Sequence, residues 1–123
     1  MNRLARWVYG LFGTLAIGLG IAVLVRPALA LPADGLSPLT AHLVREQGAE
    51  GVFIGLMAFW CLIHFERRRL VHLALVVFAG LFAAIHWAEY AQARRHLLSP
   101  LINTVPFVAF LATTPREGAD DAT

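Results

Sequence analysis

Ionisable side chains are scarce in the middle of this chain, so the few found there stand out. In "AIHWAEY", residues 84 to 90, His86 and Glu89 sit three apart at the end of an apolar run. On a helix that spacing puts both on one face, on adjacent turns. Glu50 heads a second apolar run, and Asn103 lies a few residues into a third. Glu50, His86, Glu89 and Asn103 are therefore the candidate ligand-binding residues, with Glu46 and His42 one and two turns before Glu50. An imidazole with two carboxylates, His86 with Glu89 and Glu50, is also a donor set for a divalent metal. The plainer alternative is that these groups pair with Arg45, Arg94 or Arg95 and hold one end of a helix bundle together.

The elements that must position them follow from composition. Hydrophobic residues make up 59% of the 123, charged ones only 15%, a balance outside the usual range for a soluble domain. The apolar residues are gathered into four blocks, 7 to 25, 49 to 65, 70 to 91 and 97 to 113. A helix crossing the roughly 30 Å hydrocarbon core needs about 20 such residues. The spacing predicts an all-α chain, an integral membrane four-helix up-down bundle over residues 1 to 114, with helices at about 6 to 26, 38 to 65, 70 to 94 and 99 to 114. Residues 115 to 123 read as a disordered polar tail. Pro27 stops the first helix, and residues 27 to 37 form the one long loop. Ser37–Pro38 and Ser99–Pro100 each read as an N-cap followed by a first-turn proline, and Pro106 should kink the fourth helix.

Charge then orients the bundle. All ten basic residues are arginine. Arg3, Arg6, Arg67, Arg68, Arg69 and Arg116 fall on one side, and Arg26, Arg45, Arg94 and Arg95 on the other, so both termini are expected to be cytoplasmic, in the inner (plasma) membrane. Trp7 and Tyr9 are expected in the inner aromatic belt, Trp87 and Tyr90 in the outer one. An alternative treats the first block and "ALA" at 28 to 30 as a cleaved secretory signal. Against it, the 19-residue run exceeds the roughly 7 to 15 residues of a signal core.

In lipid, helices associate through small residues and hydrogen bonds. Gly51 and Gly55 of the second helix, and Gly80, Ala84 and Ala88 of the third, make two small-residue ridges. A tight turn joins these helices, so the ridges are expected to face each other. The stripe His42, Glu46, Glu50, Phe53, Met57 and His64 should then point into the bundle with His86 and Glu89, where ionisable groups cost less than toward lipid. Their positions along the helices set Glu50, His86, Glu89 and Asn103 at one level in the outer half.

Other chemistries find little footing. No nucleophile triad, phosphate loop or cysteine pair occurs, Cys61 reads as a packed side chain, and the net charge of +2 argues for no nucleic-acid partner. Haem is disfavoured, because His64 and His72 lie by the arginine turn, His96 lies in the outer loop, and of His42 and His86, the one pair that could match in height, His42 is expected above the membrane. The glycine-dotted "YGLFGTLAIGLG", the proline-containing loop and "AEGVFIGLMAF" resemble small bacterial four-helix membrane proteins of DoxX-like appearance. Where those have an arginine before the glycines of helix two, this chain has Gly51, with Arg45 further back. The resemblance implies the layout and brings no activity with it. The expected function is non-enzymatic: an accessory subunit, with a membrane-protein partner or as a homo-oligomer, or a small-molecule-binding bundle. No cofactor is predicted. A metal-dependent oxidoreductase using His86 and Glu89 is the alternative, and an oligomeric small-solute transporter the third reading.

Overall fold

The computed structural model describes residues 3 to 31, 33 to 64, 68 to 93 and 97 to 114. The expected polar tail, together with Arg67, Arg94, Arg95, His96 and Arg116, lies outside the described residues. Four α-helices follow one another: α1 (Arg3–Val25), α2 (Pro38–Ile63), α3 (Arg69–Ala93) and α4 (Leu98–Ala112), with no strand among the described residues. The first three are long and apolar enough to cross a membrane; α4, at 15 residues, is apolar but shorter. Between α1 and α2 lie two single 3-10 turns, Pro27–Leu29 and Ala33–Gly35.

Local chemistry accounts for the helix starts. Ser37 caps α2: its Oγ accepts the Thr40 N–H at 3.1 Å, and the Thr40 Oγ1 accepts the Ser37 N–H at 2.8 Å. Two orphan donors are thereby satisfied reciprocally, with Pro38 in the first turn. The second Ser-Pro pair behaves otherwise. Leu97 already has helical angles, φ −50° and ψ −26°, and is the N-cap of α4. Ser99 is thus not the expected cap but sits inside the first turn, where Pro100, lacking an N–H, is tolerated because that position has no intrahelical acceptor.

Packing departs from the expected pairing. The ridges of α2 and α3 do not meet, and these two helices touch only sparsely. Gly48, Gly51 and Gly55 of α2 instead lie against Gly20, Ala16 and Gly13 of α1. A Cβ on Gly20 would come within 2.6 Å of the Gly48 carbonyl oxygen, and one on Gly55 within 2.9 Å of the Gly13 carbonyl oxygen. Only glycine permits that backbone approach. The pairs Gly13 with Gly55 and Gly20 with Gly48 make α1 and α2 antiparallel. Similarly, Gly80 seats the Phe107 ring of α4, and the Trp87 Nε1 donates to the Thr104 Oγ1 at 2.9 Å, which pairs α3 with α4. Ala84 and Ala88 are exposed and take part in neither seam.

The two hairpins join at the end where α1 and α3 begin. Tyr9, Ala58, Cys61, Leu75, Ala79 and Phe110 pack there into one core. The largest fully buried side chains are Tyr9, Phe110, His72, Pro100 and Cys61, whereas Leu4, Trp7, Leu11, Leu15 and Leu19 of α1 all face outward. Most large apolar groups of α1 are thus outside, while glycine seams and the buried Tyr9 and His72 are inside.

Candidate functional site

Turning its glycines toward α1 swings the opposite face of α2 away from the bundle interior. His42, Glu46, Glu50, Phe53 and His64 are consequently exposed and only Met57 is half-buried, in place of the inward stripe expected. His42 Nε2 and Glu46 Oε1 pair with each other at 3.2 Å.

Glu50 nevertheless holds a special position, at the junction of two clefts. One is an open apolar groove of about 660 Å³ between α2 and α3, walled by Phe53, Met57, Val71, Ala74 and Leu75. The other, about 260 Å³, lies among all four helices and is lined by Phe12, Gln47, Gly51, Phe82, Asn103 and Pro106 among others. Glu50, Ile54 and Phe78 line both. The sparse contact between the hairpins leaves this space.

Of the four candidate residues, then, Glu50 and Asn103 share one cavity, while His86 and Glu89 line neither cleft. The His86 Nδ1 is 2.8 Å from the Phe82 carbonyl oxygen one turn back, and Glu89 is exposed. No group of three His, Cys, Asp or Glu side chains suited to a metal comes together among the described residues. The Asn103 Nδ2 donates to the Ser99 carbonyl at 2.8 Å, so the amide oxygen is its remaining acceptor.

A second polar cluster was not singled out by sequence reasoning. Tyr9, expected in an aromatic belt, and His72, expected at the interface, are both fully buried, and Arg68 is 5% exposed. The Arg68 Nη1 donates to the Tyr9 hydroxyl at 3.4 Å; the hydroxyl lies 2.5 Å from His72 Nδ1, and His72 Nε2 lies 3.1 Å from the Thr114 Oγ1. The directions follow from the arginine, which only donates. The arrangement that leaves no hydroxyl proton unpartnered has the tyrosine donating onward to Nδ1 and the imidazole proton on Nε2, facing Thr114. Thr114 in turn donates to the Phe110 carbonyl at 3.3 Å. The chain ties the beginnings of α1 and α3 to the end of α4, and Tyr9 stacks edge-on to His72. Every buried side-chain N or O among the described residues has a partner, as the low-dielectric interior demands. This is a satisfied clasp. The signal for it was the glycine spacing of seven in both α1 and α2, which sets the register that brings Tyr9 inward.

Comparison of the chain with protein-family models, with curated proteins and with solved structures gives no match.

Proposed function

We propose that the chain is an integral protein of the inner membrane, a four-helix up-down bundle with cytoplasmic termini, whose work is non-enzymatic binding of a small molecule. The inverted distribution of side chains carries the membrane reading. In water, an exposed leucine row on α1 beside glycine seams and a buried tyrosine, histidine and arginine would waste the hydrophobic effect; in lipid, the leucines meet their own kind and close glycine packing holds the helices. The DoxX-like layout belongs to the same proposal. Within it, the two clefts that meet at Glu50 favour small-molecule binding over a purely accessory role.

Alkaline carbonate washing of membranes tests the first part. The protein should stay in the pellet, and its release with peripheral proteins would overturn the reading. Reporter fusions at each end address orientation: a cytoplasmic reporter should be active at both termini, and a periplasmic one active at either would overturn the assignment.

A further inference from the structure

We propose that the inner cavity takes an organic ammonium with a compact apolar body, an inference that rests on the membrane and small-molecule reading above. The antiparallel seam sets the depth of Glu50. Because Gly13 faces Gly55 and Gly20 faces Gly48, Glu50 stands level with Gly18, eight residues below Arg26, or about 12 Å along the helix axis. That lies inside the hydrocarbon. No described residue pairs with or hydrogen-bonds to its carboxylate, although His42 and Glu46 on the same helix satisfy each other. A carboxylate at that depth is costly unless a partner is supplied.

The rest of the cavity specifies the partner. Asn103, whose Nδ2 is already engaged by Ser99, and Gln47 are the neutral polar residues of its lining, and Phe12, Phe78 and Phe82 are its aromatic ones. Carboxylate, amide oxygen and aromatic rings are what an ammonium seeks: one countercharge, N–H acceptors, and π faces that attract cations. An anion would meet Glu50 with like charge, and a neutral hydrocarbon would leave the carboxylate unpaired. The open groove between α2 and α3 adjoins the cavity along Glu50, Ile54 and Phe78, giving an amphiphile dissolved in the bilayer a lateral way in.

The test uses a matched pair of probes, 1-naphthylmethylamine and the isosteric 1-naphthylmethanol. Each is titrated by calorimetry at pH 7 into the full chain in nanodiscs of neutral lipid, with empty nanodiscs as blank. The amine should bind saturably and at least tenfold tighter than the alcohol. Glu50→Gln should weaken the amine at least tenfold and leave the alcohol nearly unchanged, and Asn103→Ala should weaken the amine less. Equal binding of both probes by the unmodified chain would overturn the ammonium assignment while leaving a binding cavity. Binding of neither would overturn the small-molecule reading itself. The comparison within the unmodified protein holds even if Glu50→Gln misfolds.

Discussion

At the scale of single residues, the buried clasp makes the sharpest claim. Tyr9→Phe keeps the ring but strips His72 Nδ1 of its donor and the Arg68 Nη1 of one acceptor, both buried. Leaving such groups unsatisfied costs about 1–3 kcal/mol, so the variant should melt measurably below the unmodified protein in detergent. Trp87→Phe removes the exposed bond to Thr104, and an ordinary hydrogen bond is worth only about 0.5–1.5 kcal/mol. If Tyr9→Phe melts no lower than Trp87→Phe, the clasp contributes no special stability. The candidate site was half legible at this scale. Glu50 and Asn103 announced themselves as polar groups within apolar runs, and they do share a cavity. His86 and Glu89 carried the same signal but line neither cleft, because periodicity tells which residues share a face and not what that face meets.

At the scale of helices, the seam between α1 and α2 decides the arrangement. Gly20→Ala and Gly48→Ala each push a methyl group against backbone oxygen, and overpacking of this kind costs about 1–3 kcal/mol. At Gly10 and Gly18, by contrast, a Cβ would have none of the described residues within 4 Å beyond its own turn of helix. Alanine there should be neutral or stabilise by up to about 1 kcal/mol, the helix-propensity gain over glycine. Thermal unfolding of the four variants in one detergent checks the pattern, and loss of stability in all four alike would mean that the seam is not where the backbones meet. Most of the helix layout was legible, because prolines, arginines and the Ser37 cap mark ends through local chemistry. The pairing was not. Only five residues separate α2 from α3 in sequence, yet a Gly-on-Gly approach offers more contact than the alanines of α3, and α2 lies against α1.

At the scale of the whole molecule, the outward rows of leucine are the surface that detergent or lipid would cover on the proposed membrane reading. Dilution below the critical micelle concentration should aggregate the chain while a nanodisc keeps it monodisperse, as size-exclusion chromatography would show. A sharp, unchanged peak without detergent would contradict the membrane reading. One dimension of the fold bears on which bilayer suits it. With 15 residues, α4 reaches only about 22 Å, well short of a 30 Å hydrocarbon slab, whereas its partners are full length. In a chain that spans the bilayer as proposed, the membrane beside α4 would pinch, at a cost of fractions of a kcal/mol per ångström. Reconstituted into lipids of increasing acyl length, the protein should lose thermal stability as the chains lengthen, and in a cell with membranes of several thicknesses it should collect in the thinnest.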